Sequence, residues 1–360
     1  MKYIWIILSL LIAGCAVNTH HAKHAELSYG TVELVAELPI NPGNVAVSQS
    51  GRIFSSVHQF RSPDVKLIEI TGKTSYVPWP DSSWHLPGDG PNRFNAVLGI
   101  YVDRRDRLWA LDNGNGGEKP VQPKLLVFDI NSGKLLDRYD FPAATGAPGT
   151  LLQDLVVDPE RDLAYIADVG LNHKPAIVFV DLKQKTSRRF TGHSALGPEK
   201  VDMIVEGRLI AGDDGNAIRI GINPITISKD SKTIYFGAMN GQTWYSLPTR
   251  LFMAGADDSS IGAAISKVGP KPVSDGAATD AAGNHYFTDV NSNAITVLKT
   301  NGKLKHLAQR DAFIWPDNVR FGNDEWLYVS VNQLNRAPAF NGGVDGAELP
   351  FRIYRIWTGK

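Results

Sequence analysis

Apolar and polar positions alternate in short runs along most of the chain, and clusters of Gly, Asn, Asp and Pro separate these runs. Stretches with helical periodicity are scarce after residue 30. Short alternating runs rich in β-branched and aromatic residues predict β-strands, and the clusters between them predict turns. We therefore expect an all-β fold.

One sequence pattern occurs six times along the chain: a polar turn, a short alternating run, a second turn and an aromatic-rich strand. The copies align on Ser48, Asp103, Asp158, Ser228, Asp280 and Gly322. Further strand-like segments lie between the copies, so we predict a six-bladed β-propeller of four-stranded antiparallel blades, with seven blades as the alternative. Because each blade needs its neighbours to bury both faces, residues 30–360 are expected to form a single domain. The run 351–356 is expected to complete the first blade and close the ring.

The N-terminal residues differ from this body. Residues 3–12 form an apolar run after Lys2, which is shorter than the roughly 20 residues that a membrane-spanning helix needs. Residues 12–15, Ile-Ala-Gly-Cys, resemble a bacterial lipobox. We predict a lipoprotein-type signal peptide over 1–14, lipidation of Cys15 and a polar tether over 15–29. A plain cleaved signal is the alternative. The expected location is the bacterial cell envelope, as an outer-membrane lipoprotein facing the periplasm or exterior, or secretion.

Charge and composition narrow the classes of partner. Lys plus Arg equals Asp plus Glu at 37 each, so no bulk positive charge indicates nucleic-acid binding. A single cysteine excludes a disulfide framework and a thiolate zinc cluster. We expect a monomer that binds a small molecule, contacts the membrane through its anchor at Cys15, and binds no nucleic acid.

In a propeller the innermost strand of each blade lines a central channel, and the turn before that strand places side chains at the channel mouth. Counting back five residues from each aligned position gives Gly43, Leu98, Gln153, Asn223, Asp275 and Asp317. The residues one place further on are Asn44, Gly99, Asp154, Pro224, Gly276 and Asn318. Ring closure is expected to bring these distant residues to one concave site.

The polar members of this ring are the candidate ligand-binding residues: Gln153, Asp154, Asn223, Asp275, Asp317 and Asn318. Their carboxylate and amide oxygens suit a hard cation such as calcium, or an amine or polyol ligand. Asn223 and Asp275 are the candidate metal ligands, and no other cofactor is indicated. The alternative is that these side chains only cap turns. Aspartates that recur at the end of the second strand are expected to bond turn amides: Asp112, Asp168 and Asp289.

Several phrases, in order, resemble the yellow and major royal jelly protein family. They are RLWALDNG at 107–114, PKLLVFD at 123–129, GINPITIS at 221–228 and WPDN at 315–318. The resemblance covers roughly residues 40–356 and implies a six-bladed propeller whose channel binds small ligands. It also implies amine or catechol-derived ligands and a tautomerase-like activity on dopachrome-type compounds. Whether this chain is an enzyme is left open.

A second resemblance leads to another function. Asn223-Pro224 and Asp275-Gly276 are similar to the metal-binding positions of senescence-marker and gluconolactonase-type propellers, which implies a divalent-metal-dependent lactone hydrolase. That family's first-blade glutamate corresponds to Gly43 here, and its second-blade asparagine to Leu98, so two positions depart from the pattern. The third alternative is an interaction scaffold of the envelope without catalysis.

Overall fold

The strands of the protein form six antiparallel sheets of four strands each, in a computed structural model that describes residues 27–359 except 89, 172 and 213. This confirms the all-β, six-bladed prediction. The predicted signal peptide, Cys15 and the tether up to residue 26 lie outside the described residues.

The blades follow one another along the chain, and in each the strands are given from the channel outward. Blade 1 contains β2 (Pro42–Val47), β3 (Ile53–Val57), β4 (Leu67–Gly72) and β5 (Ser75–Pro78); blade 2 contains β6 (Val97–Val102), β7 (Arg107–Asp112), β8 (Lys124–Asp129) and β9 (Leu135–Asp140). Blade 3 contains β10 (Leu152–Asp158), β11 (Leu163–Asp168), β12 (Ala176–Asp181) and β13 (Thr186–Thr191); blade 4 contains β16 (Ile222–Ile227), β17 (Thr233–Ala238), β18 (Thr243–Pro248) and β19 (Ser266–Pro270). Blade 5 contains β20 (Ser274–Thr279), β21 (His285–Asp289), β22 (Ala294–Leu298) and β23 (Leu304–Gln309); blade 6 contains β24 (Pro316–Phe321), β25 (Trp326–Val331), β26 (Phe351–Trp357) and β1 (Val32–Leu38).

The inner strands contact one another in a closed ring, in the order β2, β6, β10, β16, β20, β24 and back to β2. A separate hydrophobic cluster fills each of the six interfaces between neighbouring blades. These clusters contain the tryptophans Trp79, Trp84, Trp109, Trp244, Trp326 and Trp357. Because every blade buries its faces against two neighbours, the ring depends on all six.

The closing strand differs from the prediction. Residues 351–356 belong to β26, which lies in the sixth blade as its third strand and not in the first. The N-terminal strand β1 then pairs antiparallel with β26 and forms the outer edge of that blade. Glu33 lies opposite Arg355 and Glu37 opposite Arg352, and each pair forms an ion pair across the two strands. The two ends of the described chain are therefore joined in one sheet, and opposite charges support the pairing.

The remaining elements are short. Helices α1 (Ala143–Gly146), α2 (Arg250–Met253) and α3 (Asp258–Ala263) lie in connections between strands, and β14 (Ile204–Val205) and β15 (Arg208–Leu209) form a small hairpin. No helix among the described residues is long and apolar enough to cross a membrane. We call the face of the ring where the inner strands begin the front and the face where they end the rear.

Candidate ligand-binding site

All six inner strands interrupt their pairing with the second strand at the same place, near their front ends. The irregularities fall between Pro42 and Val45, Val97 and Ile100, Leu152 and Leu155, Ile222 and Ile225, Ser274 and Ala277, and Pro316 and Val319. The two residues inside each irregularity are the pairs that the repeat alignment places in the ring. A β-bulge redirects side chains out of the regular alternation, so it explains why these residues face the channel.

The inner strands approach one another closely at this level. A Cβ atom at Gly276 would lie 2.6 Å from the carbonyl oxygen of Asp317, and one at Gly99 only 2.2 Å from the carbonyl oxygen of Gln153. Only glycine fits these two positions without moving the neighbouring strand. Buried polar groups fill the space that remains: the hydroxyl of Thr288 accepts hydrogen bonds from the backbone amides of Asp275 (3.1 Å) and Gly276 (2.9 Å).

The structure brings all six candidate residues together around the channel. Gln153 Nε2 donates to Asp275 Oδ1 over 3.1 Å, and Asn223 Nδ2 donates to the same oxygen. Asn318 Nδ2 lies 3.5 Å from Asp154 Oδ2. Asp317 is close enough for the charge of Asp275 to act on it, and it accepts a hydrogen bond from Asn332. Residues from blades 3, 4, 5 and 6 thus form one connected polar cluster.

Asp275 has the most complete set of partners. Besides Gln153 and Asn223, the indole nitrogen of Trp315 donates to its second oxygen over 2.7 Å. All three donors are neutral. Burial is the main cause that raises the pKa of the Asp275 carboxyl to about 7; the charge of the nearby Asp154 acts in the same direction, and the three hydrogen bonds oppose the shift.

The other two carboxyls are also buried and shifted. Burial raises the pKa of Asp154 to about 6, against the charge of Arg320, which lowers it. Burial raises the pKa of Asp317 well above its usual range, and the charges of Asp275 and Asp154 add to that rise. Three carboxyls in a water-poor channel cannot all be ionised at low cost, so the cluster favours a positively charged partner.

Two buried oxygens of the cluster have no hydrogen-bond partner, namely Asn223 Oδ1 and Asp154 Oδ1. Both residues are almost fully buried, with exposed fractions of 0% and 2%. Unpaired buried acceptors are rare because each costs about 1–3 kcal/mol. Both oxygens are free to accept a hydrogen bond from a donor outside the chain, water included.

A cavity of about 200 Å³ opens in front of this cluster, with Asp275 and Gln153 in its wall. Its other walls are His58, Gln59, Phe60, Leu98, Leu151, Val169, Leu171, Ile218, Ile220, Met239, Trp315, Leu334, Ala339 and Phe340. Burial lowers the pKa of His58 to about 3, so its imidazole is neutral at pH 7. Of the described residues that line this front cavity, only Asp275 is left to carry charge.

Aromatic rings form one side of the front cavity. Trp315 stacks on Phe340 with ring centroids 5.7 Å apart, Phe340 meets Phe60 edge to face at 5.6 Å, and Phe60 meets His58 at 4.6 Å. Because Trp315 also donates to Asp275, this aromatic wall reaches directly to the carboxylate. Carboxylate and aromatic faces on one surface are the usual partners of an organic cation.

Loops from three parts of the chain cover the front cavity, and we call them the roof. They are residues 59–61, the segment 199–220 with the β14–β15 hairpin, and residues 332–350, which share a hydrophobic cluster with Trp315. Glu206 of the hairpin pairs with Arg336 over 2.6 Å, and Arg61 pairs with Asp345 over 3.0 Å. The roof is therefore held by ion pairs at its edges and by apolar contacts beneath.

A second ring contributes to the site and was missed from the sequence. It consists of the residue after each second strand: His58, Asn113, Val169, Met239, Val290 and Asn332. Three of these line the front cavity, and Asn332 bonds Asp317. The sequence does contain a signal for this second ring, because in three of the six copies the residue just before it is an aspartate. Those aspartates do bond turn amides, as Asp112 does with Asn95 (2.7 Å) and Ala96 (2.8 Å).

The donor set does not fit a three-ligand metal centre. Among the residues that the structure describes, no three His, Cys, Asp or Glu side chains are arranged to hold a metal ion. Asn223 turns its amide nitrogen toward Asp275, and Gly43 supplies no side chain from the first blade. A metal at Asn223 and Asp275 stays a prediction that this arrangement does not favour.

The fold and the site together define a six-bladed β-propeller with a cavity at the front of its channel. Residues 95–358 match the model of the major royal jelly protein family, and the chain belongs to that family. It is 24% identical to protein yellow of Drosophila pseudoobscura pseudoobscura over 350 residues, and to protein yellow of Drosophila melanogaster over 347 residues. Each alignment covers 88% of this chain, which spans about three fifths of the length of these relatives (60% and 63%).

Solved structures share the architecture at low sequence identity. A gluconolactonase from Xanthomonas campestris has a TM-score of 0.56 at 12% identity, with 94% of this chain and 93% of that one covered. A luciferin-regenerating enzyme has a TM-score of 0.54 at 11% identity, with 91% and 95% covered. These similarities establish the fold alone.

Proposed function

We propose that this protein binds a small organic amine with an aromatic or catechol-derived body in the front cavity. The observation that carries the proposal is the carboxylate of Asp275 in an otherwise apolar cavity, where all its hydrogen-bond donors are neutral. An ammonium group would supply the missing charge, and a desolvated ion pair with hydrogen bonds is stronger than one in water.

The side chains that line the front cavity determine which organic body can be attached to the ammonium group. The surface formed by Phe60, Trp315 and Phe340 suits an aromatic ring or a cation placed over the face of one of these rings. The aliphatic side chains that also line the cavity exclude water. The cavity volume of about 200 Å³ suits a ligand of one ring and a short chain.

Calorimetric titration with dopamine tests the proposal, with 4-methylcatechol as the neutral comparison that lacks the ammonium group. Dopamine is expected to bind, and 4-methylcatechol to bind about 10- to 100-fold more weakly, since a hydrogen bond to a charged group contributes about 1.5–3 kcal/mol. Affinity is expected to rise from pH 5 to pH 8, because burial places the pKa of Asp275 near 7 and only the carboxylate attracts the cation.

Asp275→Asn is expected to reduce dopamine affinity to that of the neutral catechol. Asp289→Asn is the matched control, because Asp289 is a buried aspartate of the same blade that bonds Thr296 (2.9 Å) outside the cavity. If dopamine and a panel of related amines fail to bind, or if Asp275→Asn binds as the parent does, the proposal is wrong. The scaffold function would then be favoured.

A carboxyl with a pKa near 7 is also suited to exchange a proton with a bound ligand. We therefore include a tautomerase-like step in the proposal, tested by following the absorbance of dopachrome with the parent and Asp275→Asn. Loss of a parental rate in the variant alone would support it; equal rates would contradict it.

We further propose that the chain is exported and anchored by lipid at Cys15, as its lipobox-like residues 12–15 suggest. Labelled palmitate fed to expressing bacteria is expected to enter the parent and not Cys15→Ala. A parent that stays unlabelled and is recovered in the soluble periplasmic fraction would contradict the anchor and leave the cavity proposal untouched.

A further inference from the structure

The rear half of the channel contains a second space. A cavity of about 110 Å³ lies beside Arg320 and shares Tyr101, Ile227, Thr279 and Phe321 with a wider basin of about 420 Å³. The basin opens at the rear face, where the cations Arg104 and Lys229 lie on its rim. We call these two spaces together the rear cavity.

Arg320 separates the rear cavity from the front. Its side chain extends from β24 in blade 6, and its guanidinium donates to the carbonyl oxygens of Ala277 in blade 5 (3.1 Å) and Leu155 in blade 3 (3.3 Å). A third bond reaches the carbonyl of Val319 (3.1 Å), and the guanidinium lies 5.8 Å from the ring centre of Tyr101. Blades 3 and 6 are opposite each other in the ring, so Arg320 crosses the channel.

The guanidinium is buried with spare hydrogen-bonding capacity. Arg320 is 8% exposed, and its Nε has no acceptor among the described residues. A guanidinium has five N–H donors, and the three bonds to carbonyl oxygens leave two, one of them on Nε. A buried charged donor that lacks a partner is costly unless something else accepts from it.

The acidic side chains of the rear cavity do not meet this need. Asp103 accepts from Arg107 Nε and Trp109 Nε1, both at 2.8 Å, and Asp280 accepts from Asn284 Nδ2 (2.8 Å) and the hydroxyl of Tyr286 (3.0 Å). Both carboxylates are therefore engaged within their own turns, and the third acidic residue of the basin, Glu325, is exposed on its rim. The charge of Arg320 does act on Asp154, but Asp154 belongs to the polar cluster on the front side of the channel.

We propose that the rear cavity is a second binding site, which takes a small carboxylate against the free edge of Arg320. Two N–H donors of one planar guanidinium match the two oxygens of a carboxylate. The hydroxyl-bearing Thr226 and Thr279 line the same inner space, and the wider basin accommodates an organic body attached to the carboxylate. The site is spatially separate from the amine site, since Arg320 lies between them.

Titration with sodium acetate tests this site, with sodium chloride at matched ionic strength as the reference. Saturable heat, and a rise in Tm with acetate beyond that with chloride, are expected. A response to acetate no larger than the response to chloride would overturn the proposal.

Arg320→Lys keeps the positive charge and removes the planar pair of donors. It is expected to weaken acetate binding at least tenfold while dopamine binding stays within twofold of the parent. Should the variant not fold, a carbon-13 acetate spectrum of the parent, with and without Asp275→Asn, decides the matter. Acetate broadening that persists in Asp275→Asn supports a separate rear site, and broadening that disappears in it overturns that site. If the front cavity binds no amine, the acetate titration and the acetate spectra are still expected to give the same result, so the two proposals can fail separately.

Discussion

The front and rear cavities belong to one channel, yet they differ in charge and in the character of their walls. The front cavity places the carboxylate of Asp275 among aromatic and aliphatic side chains, and the rear cavity places the guanidinium of Arg320 beside Tyr101 and threonine hydroxyls. Both charged residues lie on inner strands, Asp275 on β20 of blade 5 and Arg320 on β24 of blade 6. The difference comes from position along the strand, because the acids occupy the bulge at the front and Arg320 lies beyond it.

The two cavities also differ in how their charge is compensated. The front cluster holds three buried carboxyls whose pKa values are raised, so protonation relieves part of their charge in the absence of a ligand. An arginine cannot lose its charge in this way, since it stays protonated in proteins. The charge of Arg320 is stabilised instead by hydrogen bonds to three carbonyl oxygens. We conclude that the front charge is adjustable and the rear charge is permanent.

The largest expected effect follows from removing the permanent charge. Arg320→Met leaves three buried carbonyl acceptors without their donor, and each unpaired group costs about 1–3 kcal/mol, so the free energy of unfolding should fall by about 3 kcal/mol or more. Urea unfolding at pH 7 measures this loss. Arg104→Met, which changes an exposed arginine of the rear rim, should cost well under about 1 kcal/mol. Equal losses in the two variants would contradict the role given to Arg320.

The next effect concerns the adjustable charge. Burial raises the pKa of Asp275 in the folded protein above its unfolded value of about 3.9, so the folded state binds more protons and loses stability as pH rises between about 4 and 7. Asp275→Asn removes this loss. The free energy of unfolding of the parent should fall relative to that of the variant by up to about 1.4 kcal/mol per pH unit across this range. Parallel stability curves would show that Asp275 is not protonated in the empty cavity.

Much of the fold was accessible from the sequence because a propeller repeats its local pattern. The six-fold phrase fixed the blade number, and a constant offset located the bulge residues, including Asp275 and Asp317, since each bulge lies at the same distance from its turn. The closing strand was not accessible. β1 and β26 are both ordinary alternating runs, and their sequences do not state which blade each one completes.

The walls of the front cavity were harder to predict for a different reason. Phe60 and Phe340 come from loops that do not repeat, so no period identifies them. In the sequence, Trp315 stands out only as part of the WPDN motif at 315–318. Its hydrogen bond to Asp275 joins residues 40 positions apart, so it follows only from the folded structure. Arg320 lies in a buried inner strand, and the repeat alignment does not mark it as a functional residue. Its place in the channel follows from the contacts of blades 3 and 5.

A smaller effect distinguishes the covered front from the open rear. Arg336 and Asn335 donate to Glu206, and the Arg336 guanidinium holds the pKa of that carboxyl below its usual range. Glu206→Gln should loosen the roof, raising the dissociation rate of dopamine a few-fold and lowering stability by about 0.5–1 kcal/mol. Stopped-flow displacement measures the rate. Acetate binding at the rear should not change, and an equal change at both sites would contradict a roof that serves only the front.

The smallest effect tests what the two cavities share. Glu33 and Arg355 lie opposite each other across β1 and β26, and both are partly exposed, so Glu33→Gln should cost about 0.2–1 kcal/mol. Because β1 completes the blade that carries Asp317 and Arg320, any loosening should reach the two cavities alike. Dopamine and acetate affinities, measured side by side, should therefore shift by the same small factor or not at all. If only one of them changed, the blade would not be responding as a unit, and the front and rear cavities could not be treated as two ends of one rigid channel.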